Sequence, residues 1–386
     1  MTSAPEETPR DGWARLDGSL RAVAVEVLRH GPLPRAELAR RLGLSPGSLT
    51  RLTRPLLEDG LLVEGGPELQ SRTGRPSVPL DVRATRARFV GVTVTADEAI
   101  AVVTDLRSRL LDHVMVPLPG RSPDDVVECV AGIVRRFAPV EGLGVGIGGL
   151  VAEHRDVVVA PFLGWDEPVA LARLLAGATG VPSSVDNDVR ALAAAEHWFG
   201  AGRGLHSFAL VTIGSEVGAA LVVHDDQVCG ARGLGGAVGH LPLVPADHPA
   251  AAGGPCELGH RGCAQAVLST SGMAAAARAR FGRPVSTDEL WEIQPVLDAA
   301  AEALAVLVGG VVGLADPEVV LVSGTGAGLV DAARPALETG LGAGRRPQAP
   351  AVPVRVAPFA RTDWARGAAV VAVQDHVRGT PGGTHR

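Results

Sequence analysis

The sequence predicts an α/β protein: a small helical head closed by a β-wing, then a body of two α/β lobes. Three observations predict it. Residues 35–62, RAELARRLGLSPGSLTRLTRPLLEDGLL, set two short amphipathic segments on either side of a tight turn. From residue 88 short β-rich runs alternate with Ala-rich helical stretches, and near Phe208 a second series of strands and helices begins. Two such series are what two packed lobes, each with its own core, require.

Residues 1–15 are polar and acidic and read as a disordered tail. A domain over 16–82 follows. Leu20, Val23, Val27 and Leu28 share one helical stripe, and Gly31-Pro32 breaks it. Ala36, Leu38, Ala39 and Leu42 mark a second helix stopped by Gly43. Ser45 suits an N-cap and Pro46 the first helical position, so a third helix starts there with Leu49, Leu52 and Leu56 inward and Pro55 inside it. Leu61–Glu64 and Pro76–Val82 pair as a hairpin around a Gly, Ser and Arg-rich loop. Helix, turn, helix, wing is the order of a winged helix-turn-helix.

In the body, Val90–Thr95, Ile100–Asp105 and Leu110–Pro117 read as strands, Pro123–Phe137 as a helix, Gly142–Gly148 as a strand and Ala170–Thr179 as a helix. The second series has strands at Ala209–Ile213 and Ala219–His224, a Gly-rich loop, and helices around Ala266–Phe281 and Leu297–Leu314. The stretch Ala299–Leu314 is equally a core helix or a subunit contact.

Charge narrows the function. The net charge of −6 over 386 residues argues against nucleic acid if spread evenly. It is not: residues 29–88 carry 11 Arg against 6 acids, +5, and residues 89–386 carry 22 Arg against 31 acids, −9. All 36 basic residues are arginine. The basic excess thus sits on the part shaped like a DNA reader. On its second helix Ser48, Thr50, Arg51 and Arg54 project away from the leucine stripe, and with the N-cap Ser45 they are the candidate DNA contacts. Arginine is the side chain best suited to a bidentate contact with guanine in the major groove. Arg72 and Arg75 in the wing suit a minor groove. A merely solvated cap would also show a charged face, but the element order and the local charge favour double-stranded DNA as partner. Four cysteines, two of them isolated (Cys129, Cys229), make no disulfide framework. No apolar run reaches membrane-spanning length and the first residues lack signal-peptide order, so a cytoplasmic location without membrane contact is expected.

GLGVGIGGLV at 142–151, APFLGW at 160–165, VPSSVDNDVRALAAAEHWFG at 181–200, GLGGAVGH at 233–240 and PCELGHRGC at 255–263 resemble the ROK family (repressor, open reading frame, kinase). The head with its Gly74-Arg75-Pro76 wing resembles that family's repressor branch. The resemblance implies an actin-like (ribonuclease H-like), two-lobed sugar-kinase-type body, with lobe 1 over 88–200 plus a C-terminal helix at 362–377, and lobe 2 over 205–360. It implies a ligand set of Asn187, Asp188, His240 and Gln265, with Asn187 on sugar hydroxyls and Asp188 where the kinases keep a general base. For an unplaced Asp-Asn-Asp, helix capping by Asp186 and Asn187 is the simpler reading. Ala237 and Gln265 stand where the family has glutamates, and Phe162 where relatives have Asn.

The kinases of this family cradle nucleotide with an Asp-x-Gly-Gly-Thr turn, and this chain has Thr93-Val94-Thr95-Ala96-Asp97 there. Without glycine the backbone cannot approach a phosphate closely. Glu216 stands in the second phosphate turn where the kinases carry glycine, and its charge repels a triphosphate. No use of ATP is expected. The family's structural zinc is held by a histidine and three cysteines; here His240, Cys256 and Cys263 are in register and the middle cysteine is Leu258. His260 can complete a two-cysteine, two-histidine set, and a metal-free loop with two reduced thiols is the alternative. The sequence therefore reads as a homodimeric repressor that senses a sugar or sugar phosphate, rather than an enzyme. A sugar kinase and a ligand-independent DNA-binding protein are the rivals.

Overall fold

The structure, a computed structural model, describes residues 12–65 and 78–379. The head contains α1 (Gly18–His30), α2 (Arg35–Arg41), α3 (Pro46–Glu58), β1 (Leu62–Glu64) and β2 (Leu80–Val82). Asp17 caps α1 by accepting from Leu20 N–H, and Ser45 caps α3 by accepting from Ser48 N–H. Pro55 removes the donor that would close on the Arg51 carbonyl, yet α3 runs on to Glu58. β1 and β2 pair antiparallel, Leu62 opposite Val82. The tail expected over 1–15 ends earlier than predicted: Gly12–Arg15 forms a 3-10 turn and Trp13 is fully buried. One indole buries enough apolar surface to order the residues around it. Residues 1–11 lie outside the described residues.

By its contacts the chain divides into two compact units, one holding residues up to Ala191 with those from Trp364 on, the other Leu192–Asp363. In the first, β3 (Arg88–Val94), β4 (Glu98–Asp105), β5 (Leu110–Pro117), α4 (Pro123–Phe137), β6 (Gly142–Ile147), β7 (Leu150–Ala152), β8 (Asp156–Val159), α5 (Leu171–Thr179) and β9 (Ser183–Asn187) follow the head. The strand order is β5-β4-β3-β6-β9. β3 to β5 pair antiparallel, and β6 and β9 run parallel to β3. β3 and β6 are buried along nearly their whole length, as strands covered on both faces must be.

α6 (Asp188–Phe199) leads into the second unit: β10 (Phe208–Ile213), β11 (Val217–Val223), β12 (Asp226–Gln227), α7 (Ala264–Leu268), α8 (Thr270–Phe281), α9 (Thr287–Leu290), α10 (Gln294–Ala315), β13 (Val319–Ser323), α11 (Leu329–Ala332), α12 (Arg334–Gly344) and β14 (Val354–Val356). Its sheet, β12-β11-β10-β13-β14, repeats the first sheet's scheme of antiparallel neighbours on one side and parallel ones on the other. The helix expected around Ala266–Phe281 is two, because Ser269 breaks the run and caps α8. α10 corrects another expectation: it is long and apolar enough to span a membrane. It carries the second unit's core instead, with Leu297, Ala300, Leu304 and Val308 nearly inaccessible, so its hydropathy is that of a helix buried in protein.

The closing helix α13 (Thr362–Arg378) returns to the first sheet. A Cβ on Gly91 would stand 2.0 Å from Ala365 O, and one on Gly144 1.8 Å from Ala368 O, so glycine alone permits this approach. Among the described residues, arginines tie the head to the body. Arg107, between β4 and β5, donates to Val27 O near the end of α1 (2.8 Å) and pairs with Asp81 on β2 (2.5 Å). Arg21 on α1 donates to Val377 O at the end of α13 (2.6 Å). Each guanidinium sits at a helix C-terminus, where the free carbonyls favour a cation.

Candidate functional sites

On α3 the inner stripe is Leu49, Thr53 and Leu56, each at most 2% exposed; Leu52, expected inward, is half-buried. Both 49, 53, 56 and 49, 52, 56 fit the 3.6-residue period, so periodicity does not choose between them; the buried hydroxyl of Thr53 is satisfied by Thr50 O at 3.3 Å. Ser45, Thr50, Arg51 and Arg54 are exposed on the outer side. Their partners differ. Ser45 is occupied by its cap and by Ser48 Oγ at 3.0 Å, and Thr50 Oγ1 donates to Pro46 O. Arg54 pairs with Glu58 at 2.7 Å. Arg51 has no ion pair among the described residues. Arg72 and Arg75 lie outside the described residues.

The Asp-Asn-Asp stretch sits where β9 ends and α6 begins. Asp186 is 1% exposed. Arg190 Nε donates to its Oδ1 at 2.7 Å, and His154 Nδ1 stands 3.0 Å from its Oδ2. Burial by itself would raise this carboxyl, but His154 and Arg190 hold it below the usual carboxylate range. Arg190 also donates to Val151 O at 2.7 Å, locking the β7–β8 hairpin to α6. Neither Arg190 nor His154 was singled out from the sequence; the i,i+4 spacing of Asp186 and Arg190 was the available signal.

Asn187 does cap α6, accepting from Val189 and Arg190 N–H at 3.0 and 3.2 Å, and its Nδ2 donates to Gly149 O. Asp188 Oδ1 accepts from Val189 N–H at 2.8 Å. Desolvation pushes the Asp188 carboxyl up from 3.8 to about 6, with Asp186 adding to the rise. Two carboxyls two residues apart thus titrate in opposite directions, one paired and one not.

His240 and Gln265 lie in the second unit. Gln265 turns its amide onto the β10–β11 turn: Oε1 accepts Val217 N–H at 3.0 Å and Nε2 donates to Ser215 O at 2.8 Å. Gly214 N–H is taken by Glu216 O. In the first unit's matching turn, Thr95 Oγ1 accepts from Glu98 N–H at 3.2 Å, and Arg121 closes over Ala96 O and Asp97.

His240, Cys256, His260 and Cys263 bring four donor atoms within 4.8 Å of one another. Tetrahedral ligands about 2.0–2.3 Å from zinc stand roughly 3.3–3.8 Å apart, and Cys256 Sγ lies 3.7 Å from His240 Nδ1. His240 Nε2 faces Glu257 at 3.4 Å, as a metal-bound imidazole is usually held through its far nitrogen. Burial, with the neighbouring Cys256, pushes the Cys263 thiol up. Leu258, in place of the middle cysteine, is 62% exposed. The donor set therefore fits zinc.

A head built to present one helix, joined to a body of two sheets with one topology, defines the class: a winged helix-turn-helix protein with a sugar-kinase-like body. Residues 89–374 match the ROK family, and the chain belongs to it. Residues 25–63 match a winged helix-turn-helix DNA-binding family. The chain is 26% identical over 259 residues to the DNA-binding transcriptional dual regulator NagC of Escherichia coli K12, covering 65% of this chain and 62% of NagC. The match thus spans about three-fifths of the length of such curated relatives. The fold is that of a ROK family transcriptional regulator homologous to E. coli Mlc (TM-score 0.74, 22% identity, 94% of this chain and 97% of that one). A ROK hexokinase from Thermus thermophilus matches with TM-score 0.63 and 29% identity over 75% of this chain and 98% of its own.

Proposed function

We propose that the chain is a DNA-binding transcriptional regulator acting as a repressor in the cytoplasm, and that its body senses a sugar or sugar derivative rather than phosphorylating one. The observation that carries this reading is the capped α3, with Arg51 exposed and unpaired among the described residues on a head whose sequence is locally basic. As a homodimer it would set two such helices on half-sites about one DNA turn, roughly 34–36 Å, apart. Arg21 and Arg107 supply the means by which ligand-dependent movement in the first unit reaches the head, since both brace α1 directly. Zinc, held by His240, Cys256, His260 and Cys263, would fix the loop that leads into Gln265.

The kinase reading draws support from Asp188, whose carboxyl near 6 suits a general base. Against it, amides of both candidate phosphate turns already donate within the protein, to Thr95 in one and to Gln265 and Glu216 in the other. A phosphate cradle needs those amides free. Asn187, busy capping α6, is what favours a ligand-independent protein.

Capture of genomic DNA by the purified protein, followed by binding titrations on the enriched sites, tests the proposal. Arg51→Ala is expected to cost about 1–3 kcal/mol on selected sites and less on random DNA; Arg75→Ala should weaken both alike. Absence of enrichment at low ionic strength would sink the regulator reading. Sugar-dependent ATP turnover abolished by Asp188→Asn would establish the kinase instead.

A further inference from the structure

The first unit presents an aromatic ring beside Asp188. Phe162 is 45% exposed on the turn Pro161–Leu163. That exposure is built. Leu163 and Trp165 are each 5% exposed and packed into the core. The backbones of Ala160 and Trp165 exchange hydrogen bonds at 3.0 and 3.1 Å, and Trp165 Nε1 donates to Arg121 O at 2.6 Å. Anchored on this side, the turn holds the ring outward. A methyl placed on Gly148 would stand 3.4 Å from the ring and 3.6 Å from Asp188 Oδ2. Ring and carboxylate therefore border the same space, which the glycine leaves open. Single exposed apolar side chains are ordinary; one that borders the same space as a half-buried carboxylate has the composition of a binding site, a placed polar group near aromatic surface. An aromatic face covers C–H groups well but offers a hydroxyl no full replacement for its water.

We propose that Phe162 is a specificity-determining residue: next to the hydroxyl that Asp188 accepts from, it selects a ligand edge that is apolar, as in an N-acylated sugar, over the fully hydroxylated counterpart. This deepens the sensor reading and rests on it. A hydroxyl pressed against the ring would lose its hydrogen bonds, whereas an acyl methyl group would lose only water it does not bind.

Isothermal titration of the full chain with sugar pairs differing only by acetamido for hydroxyl tests this: glucose and N-acetylglucosamine, mannose and N-acetylmannosamine, galactose and N-acetylgalactosamine. For at least one pair the wild type should bind the acylated member about tenfold or more tightly, a difference of about 1.4 kcal/mol. Phe162→Asn should bring that ratio close to one while still binding, and Asp188→Asn should weaken both members. Circular dichroism and retained DNA binding check that the variants are folded. Equal binding within every pair, or an unchanged ratio in Phe162→Asn, overturns the role of Phe162 and leaves the sensor standing. If no sugar binds wild type or Phe162→Asn, the sensor reading falls, and this proposal with it.

Discussion

In the first sheet, β9 hands over to α6 at Asp188, whose Oδ2 faces the open side of Gly148. In the second sheet, the turn between β10 and β11 is tied shut by the amide of Gln265. Both sheets follow one strand scheme. What separates a receptive strand end from a sealed one is thus the local supply of hydrogen bonds. A backbone amide that already has an internal acceptor gains little from a phosphate. A carboxyl desolvated without a cation is left in want of a proton or a ligand hydroxyl.

The contrast can be broken or sharpened experimentally. The largest effect should come from zinc: metal analysis of purified protein is expected to find stoichiometric zinc, His260→Ala to lose it, and chelation to lower Tm more than any single substitution, since structural zinc binding is coupled to folding. Zinc-free protein with an unchanged Tm on chelation would refute that. Next, Asp186→Ala leaves Arg190 buried without its counter-ion and should cost about 3–5 kcal/mol in denaturant titrations.

Asp188 works in the other direction. Its native carboxyl holds a proton more tightly than the unfolded one, so its contribution is most favourable below about 4 and declines as pH rises to about 6. Asp188→Asn should therefore raise Tm at pH 7.5, by about 2–4 °C for each kcal/mol relieved, with the gain disappearing near pH 4. A gain that persists at pH 4 would show that desolvated charge is not its cause. The smallest effect is expected for Gln265→Ala, about 1–2 kcal/mol of stability, with faster hydrogen exchange at the Val217 amide. Protection of Val217 that survives the substitution would mean the turn is sealed by something else.

Much of this was legible in the chain. The cap at Ser45, the helix start at Pro46 and the strands β3 to β6, β10 and β11 are read from residue type and spacing, whereas β9, β12, β13 and β14 are not; the His240, Cys256, His260 and Cys263 set rests on the family resemblance, and the structure brings its four donors together. Two departures share one origin: Trp13 is buried rather than part of a tail, and Leu52 is only half-buried on α3, because burial depends on what packs from elsewhere in the chain, which periodicity does not report. The length and hydropathy of α10 are properties of its own residues and are open to the sequence; only its burial in the second unit's core needs the fold.

Composition and spacing by themselves determined the winged head and the α/β body, because caps, turns and strand patterns are properties of a few neighbouring residues, while the family resemblance pointed to the chemistry-bearing residues. Tertiary structure alone decided which of those residues remain available. Asn187 and Gln265 have the right groups for a hydroxyl, but their hydrogen bonds are drawn inward by a helix end and a turn. Asp186 and Asp188 share one chemistry but shift in opposite directions, because Arg190 and His154 hold the first as a carboxylate while desolvation dominates at the second. A side chain's donors and its surrounding charges are set by contacts distant in sequence, and those exist only once the chain has folded.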